Sequence, residues 1–286
     1  MRLSLPGTVF ALTATLTLQA WAADTHKESR MQIAPGGTLN LVSNAGSVNL
    51  KPGPGNMVVV AYHTHSDQVE VDLSSTADHR RIEVQTHVLS DKRPAGDEAN
   101  VEYEVIVPAG TAVNVNTVNA PITVDGLSGD LNLSSESGTV TVRNVNRSHL
   151  TVRGVSAPVN LADISAARLD VTANGGAVQM TNVWGPKVKV GTSSGNISYR
   201  GDCSGVGSYD FSTHSGNIDL LLPEKASVDL TARSYNGTVE NDFPLQKKPH
   251  SSFQPKTGSS FAGTSNSGAS SVTLQSINGK IRVTKQ

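Results

Sequence analysis

Residues 131–142 read LNLSSESGTVTV, which is a short alternating run, a small turn and a second alternating run. The same pattern recurs about every twenty residues from Val113 to the C-terminus, and once earlier at Leu39. A fixed period of this size is typical of a solenoid, in which each coil buries its apolar side chains only against neighbouring coils. The sequence therefore predicts an all-β chain, a parallel β-helix-like solenoid with coils of about 20 residues.

One column of the repeat indicates which side chains face inward. Two residues after each small turn residue, every copy carries a β-branched aliphatic residue: Val48, Ile122, Val140, Val159, Val178, Ile197, Ile218, Val239 and Ile281. A second, mostly aliphatic column lies seven residues before the turn and includes Leu131 and Leu150. Since both arms alternate with a period of two, we expect two short strands per coil, each with one buried face.

The composition predicts three segments. Residues 1–22 have the basic start, apolar run and small-residue site of a secretory signal peptide. Residues 23–110 are expected to form an N-terminal coil and a β-sheet cap, because alternating runs at 69–73, 82–86 and 101–107 are separated by polar loops. Residues 111–286 hold the solenoid repeats. The segment 244–271, where Ser, Gly, Pro and Lys are frequent, is expected to be a flexible loop, with one degenerate coil as the alternative.

Charge and cysteine content narrow the class of protein. The chain has 23 basic and 24 acidic residues, a balance that does not favour binding to nucleic acid. Cys203 is the single cysteine, so no intrachain disulfide is possible, and we expect it to pack as a small hydrophobic residue. After signal cleavage no membrane span is expected. These features predict a periplasmic or secreted protein.

Three stretches carry a family resemblance. MQIAPGGTL at 31–39, VIVPAG at 105–110 and repeats such as LNLSSESGTV at 131–140 resemble the bacterial putative adhesin family of β-strand repeat proteins, a domain of unknown function of β-solenoid type. The likeness covers nearly the whole mature chain. It implies an exported β-solenoid of uncharacterised activity, and it offers no catalytic residues to transfer to this sequence.

Four histidines are candidate metal ligands. His63 and His65 lie on one face of a predicted strand, and His79 and His87 belong to neighbouring predicted strands. No carboxylate or thiol spacing accompanies them, so a solvated outer face is the favoured interpretation. We therefore expect no metal site and no cofactor.

Two short motifs are also interpreted as turns. Arg200-Gly201-Asp202 spells an integrin-recognition tripeptide, but it falls at a predicted coil corner. The segment from Asp125 to Asp130 resembles a calcium-binding repeat only superficially, since the glycine-rich nonapeptide is absent from the other coils.

Two classes of function remain. The first is a non-enzymatic structural or binding protein, adhesin-like, that presents polar solenoid faces to an envelope glycan or protein; the pattern does not indicate an oligomeric state. The alternative is a carbohydrate-active enzyme on a parallel β-helix, which would need two carboxylates about 5–10 Å apart. Only Asp219 and Glu240 stand as successive acids in one outward column. Because fold alone does not imply activity, the sequence favours the non-enzymatic class.

Overall fold

The computed structural model describes residues 25–89, 99–201, 203, 206–247 and 259–286. The predicted signal peptide lies outside these residues. Within them, β-strands form a 12-stranded sheet, here called sheet A, and a 13-stranded sheet, here called sheet B. The inward side chains of both sheets form one continuous hydrophobic core. In this described part of the chain, no helix has the length and apolar character that crossing a membrane requires.

The N-terminal strands precede the regular array. They are β1 (Thr25–Gln32), β2 (Thr38–Ser43), β3 (Ala45–Gly53), β4 (Met57–Thr64), β5 (Val69–Ser75), β6 (Arg81–Val88) and β7 (Asn100–Pro108).

The array follows with two strands per coil. Its strands are β8 (Ala112–Thr117), β9 (Ile122–Asp125), β10 (Leu131–Ser135), β11 (Val140–Asn146), β12 (His149–Gly154), β13 (Val159–Ser165), β14 (Arg168–Ala173), β15 (Val178–Trp184), β16 (Lys187–Thr192), β17 (Ile197–Arg200), β18 (Ser208–Thr213) and β19 (Ile218–Leu222).

The last strands are β20 (Val228–Ser234), β21 (Val239–Asn241), β22 (Gln246–Lys247), β23 (Ser259–Thr264), β24 (Ser270–Ser276) and β25 (Ile281–Lys285). The order in sheet A is β1-β4-β7-β3-β9-β11-β13-β15-β17-β19-β25-β21. The order in sheet B is β22-β23-β20-β24-β18-β16-β14-β12-β10-β8-β2-β6-β5.

The predicted aliphatic columns stack in register. Val140 pairs with Ile122 in the preceding coil and with Val159 in the following coil, and all three side chains are buried. On the other arm Leu131 pairs in the same way with Val113 and Leu150. Each pairing is parallel, because successive coils run the same way around the core. The solenoid of about 20-residue coils is therefore confirmed.

The corners between the two arms are closely stacked. A Cβ atom added at Gly195 would lie 2.0 Å from the carbonyl oxygen of Gly176 in the preceding coil. Beside it, the Thr192 hydroxyl donates a 2.7 Å hydrogen bond to the Gly195 carbonyl. Thr117 does the same to Ala120 at 2.8 Å. Small side chains in the corner thus allow close stacking, and hydroxyl groups bind the carbonyls of the bend.

The N-terminal strands extend both sheets beyond the regular coils. In sheet A, β7 pairs parallel with β3 and antiparallel with β4, and β1 pairs antiparallel with β4. In sheet B, β6 pairs parallel with β2, and β5 pairs antiparallel with β6. The alternating runs at 69–73, 82–86 and 101–107 are strands, as expected. β1 is not evident in the sequence pattern, because its only large apolar residue is Met31.

The end of the chain does not stack at the end of the array. β24 lies between β18 and β20, and β25 lies between β19 and β21. The last coil therefore enters between two earlier coils. The predicted loop at 244–271 also differs: its described parts include β22 and β23, and β24 begins at Ser270. β23 pairs antiparallel with β20 and covers that edge of sheet B, while residues 248–258 lie outside the described part.

Candidate functional site

The outer face of sheet B carries two rows of polar side chains, here called the polar face. The first row crosses β2, β8, β10, β12, β14 and β16 in register and consists of Asn40, Asn114, Asn132, Thr151, Asp170 and Lys189. The second row, two residues further along the strands, consists of Asn116, Ser134, Arg153 and Thr172. Alternation along each strand places these groups outward at intervals of about 4.8 Å, the spacing between neighbouring strands.

Hydrogen bonds link neighbouring members of the polar face. The Asn114 amide donates to the Asn40 amide oxygen at 2.8 Å. The Arg153 guanidinium donates to the Asn132 amide oxygen at 3.0 Å. Next to this row, Arg168 donates to the Asp170 carboxylate, and this hydrogen bond raises the pKa of the Arg168 guanidinium. The side chains are thus oriented while keeping further donors and acceptors toward solvent.

Two shallow depressions meet on the polar face. One, of about 330 Å³, is lined by the asparagines of the first row together with Asn116, Ser134 and Arg153. The other, of about 450 Å³, is lined by Thr151, Arg153, Asp170 and Lys189, among others. Arg153 belongs to both depressions, so they form one continuous surface. The arrangement is suited to hydrogen-bonding an extended polar ligand laid across the strands.

Asp219 and Glu240 are not on neighbouring strands, although they are successive acids in one outward column of the sequence. They lie on β19 and β21, and β25 separates these strands. Arg282 stands between them, 3.9 Å from the Asp219 carboxylate and 3.5 Å from that of Glu240. The hydrogen bond from Lys280 lowers the pKa of Glu240. A general acid needs the opposite shift, a raised pKa.

β25 has a neighbouring strand on each side, so Arg282 and Lys285 do not lie at the edge of sheet A, and Lys280 directly precedes the strand. They face carboxylates of the adjacent strands and loops: Lys285 lies 2.8 Å from Glu224, and Lys280 contacts Glu240. In this position the three cations balance acids on both flanking coils.

The structure brings two of the four candidate histidines together. His63 and His65 lie on the outer face at the end of β4, where Glu102 of β7 contacts both. His79 lies in the turn between β5 and β6, and His87 projects from sheet B beside Asp72 at 3.1 Å. Glu102 was not among the predicted site residues. The alternation along β7 indicates that the Glu102 side chain points outward. It does not indicate that β7 pairs antiparallel with β4, which is what brings Glu102 to the histidines.

The two turn motifs lie at coil corners. Arg200 ends β17 and Gly201 follows it, whereas Asp202 lies outside the described residues. Asp125 accepts a 2.7 Å hydrogen bond from Asn144, and Asp130 accepts from the backbone nitrogen of His149 at 3.0 Å. Both carboxylates thus bind the following coil and do not converge on a common point. Cys203 is buried, as expected.

The basic residues on the polar face and beside it were not predicted. Arg153, Arg168 and Lys189 belong to three successive coils, and the repeat brings them to one surface. The sequence does contain a pattern from which these residues could have been predicted. The outward positions hold Asn in the first coils and Arg or Lys in the three coils that follow.

Comparison with known proteins places this fold in a family. The model of the family described as Toastrack DUF4097 matches residues 38–284. A putative cell adhesion protein from Clostridium sporogenes is similar in structure at 10% identity and a TM-score of 0.29, covering 92% of this chain and 100% of the other. A putative adhesin from Parabacteroides distasonis is similar at 12% identity and a TM-score of 0.35, covering 92% and 98% respectively. No curated protein shows a significant match. The family match spans most of the array and its N-terminal extension, and the chain therefore belongs to the Toastrack DUF4097 family of β-repeat proteins.

Proposed function

We propose that this chain is an exported, non-enzymatic binding protein of the bacterial envelope, adhesin-like in role, which binds a glycan along its polar face. One observation carries the proposal. Amide, hydroxyl, guanidinium and carboxylate groups form continuous rows across successive coils, and the two depressions join at Arg153. The face offers many hydrogen-bonding groups at a regular spacing, as a repeating polar ligand requires.

The composition of the polar face favours a sugar polymer. A sugar hydroxyl both donates and accepts hydrogen bonds, and asparagine amides can satisfy both roles. Arg153 and Lys189 add cationic groups that can bind acidic substituents of a sugar. The planar guanidinium of Arg153 can donate two parallel hydrogen bonds to one carboxylate. A protein partner would more often bury aromatic and aliphatic groups at the centre of its interface.

Two further features support the proposed class. The Asp219 and Glu240 carboxylates are each paired with Arg282, which disfavours the carbohydrate-active enzyme alternative.

The signal-peptide pattern at 1–22 supports export. Purification from the producing cells with N-terminal sequencing tests this step: a mature chain that begins at Ala23 is expected, and a chain that retains residues 1–22 would contradict export.

The binding test uses the chain without the predicted signal peptide on an array of bacterial envelope glycans. We expect binding to at least one glycan class. The combined variant Asn114→Ala, Asn132→Ala and Arg153→Ala should weaken that binding at least tenfold, because it removes the hydrogen-bonding groups from both rows. The matched control is Thr141→Ala, Asn160→Ala and Gln179→Ala, which changes three outward residues of sheet A.

Two results would overturn the proposal. Equal losses of binding in both triple variants would mean that the polar face is not the binding surface. If the wild-type chain bound no glycan on the array, a glycan ligand would be ruled out. Release of new reducing ends from the bound glycan, abolished by Asp219→Asn with Glu240→Gln, would instead establish the enzyme alternative.

A further inference from the structure

A cluster of two imidazoles and one carboxylate lies on the outer face of sheet A, away from the polar face. The Nδ1 atom of His63 is 3.9 Å from one Glu102 carboxylate oxygen, and the Nε2 atom of His65 is 3.7 Å from the other. One ligand atom from each of the three residues lies within 4.8 Å of the other two. The two imidazole rings meet edge to face, with their centroids 4.5 Å apart.

Strand geometry accounts for this cluster. His63 and His65 are two residues apart, and so they share one face at the end of β4. The antiparallel pairing of β4 with β7 places Glu102 directly opposite His63. On the other side of β4, His26 of β1 is the partner of His63. His26, His63 and Glu102 line the same depression, which has a volume of about 380 Å³.

The donor set suits a particular class of ion. Imidazole nitrogens favour late first-row metals such as zinc and copper, whereas calcium and magnesium prefer oxygen ligands alone. Two histidines and one glutamate form a known zinc ligand set that leaves a coordination position open. Side-chain movements of roughly 1 Å would bring these atoms to the distances of about 2.0–2.2 Å at which zinc binds nitrogen and oxygen.

We propose that His63, His65 and Glu102 bind one late first-row divalent cation, with His26 on the adjacent strand as a further available ligand. The sequence alone predicts no metal site, because no carboxylate spacing accompanies the histidines. The pairing of β4 with β7 supplies that carboxylate. The His65 and Glu102 side chains are 36% and 57% exposed, so an ion can enter from solvent and retain water at its open position.

The test is a calorimetric titration of the purified chain with zinc chloride at neutral pH. We expect one zinc ion per chain at this cluster, and at least tenfold weaker binding in His65→Ala and in Glu102→Gln. His87→Ala is the matched control, since it removes an exposed histidine of sheet B that does not belong to this cluster. This control should bind zinc as the wild-type chain does.

NMR chemical shifts of the histidine side chains show which residues contact the zinc ion, whatever the binding affinity is. Zinc should shift the imidazole resonances of His63 and His65 and leave those of His149 unchanged. All three variants alter solvent-accessible side chains, and circular dichroism verifies that they fold. The proposal is overturned if the wild-type chain gives no binding heat, if His65→Ala binds equally well, or if His87→Ala weakens binding to the same degree. Since the cluster lies on the opposite sheet, its failure would leave the glycan proposal unaffected.

Discussion

Asparagine and aspartate alternate at one corner of three successive coils. Asn144, Asp163 and Asn182 each adopt a left-handed backbone, with φ between 53° and 56°. Asn144 donates to Asp125 at 2.7 Å, and Asn182 donates to Asp163 at 3.0 Å. These residue types tolerate left-handed φ better than other side chains that have a Cβ atom. Asn and Asp therefore fit this position for two reasons: they tolerate the left-handed backbone, and their side chains form hydrogen bonds between coils.

Substitutions at Asn182 separate these two contributions. Asn182→Ala loses the hydrogen bond and places a less tolerant residue in the left-handed region, so we expect a loss of about 1–2 kcal/mol in the free energy of unfolding. Asn182→Gly loses the hydrogen bond but accepts the backbone, and it should therefore be the more stable of the two variants. Thermal and urea unfolding of both variants measure the difference. An alanine variant as stable as the glycine variant would contradict a role for the backbone.

At the scale of elements, the inserted last coil is the largest difference from the sequence-based prediction. The inward columns correctly predicted the period and the buried faces, as the pairing of Val140 with Ile122 and Val159 demonstrates. The order of the coils was not predictable in the same way. Ile218, Val239 and Ile281 have similar shapes, and any of these could pack against either of the others, so the pattern does not distinguish a sequential stack from the observed one.

The inserted position predicts a strong effect of a charge in β25. Ile281 is buried between Ile218 and Val239. Ile281→Asp should destabilise both flanking coils and cost about 4 kcal/mol or more, because it places an unpaired charge in the core. Thr284→Asp changes an outward residue of the same strand and should cost less than about 1 kcal/mol.

Limited proteolysis followed by mass spectrometry measures how far this damage extends. Cleavage in Ile281→Asp should appear on both sides of β25, within β19 as well as β21. A sequential stack would restrict cleavage to the final coil, and that outcome would contradict the observed order of strands.

The candidate sites show the same limit on prediction. The outward positions of Asn114, Asn132 and Arg153 followed from the alternation along each strand, so the existence of a polar face was predictable. The His63, His65 and Glu102 cluster depends on an antiparallel pairing between strands that are separated by about forty residues, and local patterns do not encode such a partner. Its register emerges only when β7 packs between β3 and β4.

At the scale of the whole molecule, buried tyrosines connect the sheets across the core. Tyr103 of β7 in sheet A lies 2.7 Å, between hydroxyl oxygens, from Thr86 of β6 in sheet B. Burial raises the pKa of Tyr103 to about 12. It also raises the pKa of Tyr199, whose hydroxyl donates to the Val183 carbonyl at 2.8 Å. The folded chain therefore favours the neutral form of both side chains.

This preference predicts alkaline destabilisation. The ordinary pKa of tyrosine is about 10, so the stabilisation from a neutral Tyr103 is fully present below that pH and is lost as the pH rises through about 12. The loss from this residue should reach about 2–3 kcal/mol. Tyr103→Phe should be less stable at neutral pH but should show a shallower decline above pH 10, whereas Tyr235→Phe, which alters an exposed ring, should retain the wild-type slope. Thermal unfolding across this range measures both slopes, and parallel declines in all three chains would contradict the role of Tyr103.

The position of the last coil also has a consequence for protein synthesis. The ribosome delivers β20 and β21 before β24 and β25, although the native stack places the later pair on the inner side of the earlier one. A nascent chain that ends before Ser270 can bring β20 directly against β18, since both strands present a buried side chain, Leu230 and Tyr209, at the matching position. Where this early association forms, it has to open again before β24 and β25 can take their native places between the flanking strands.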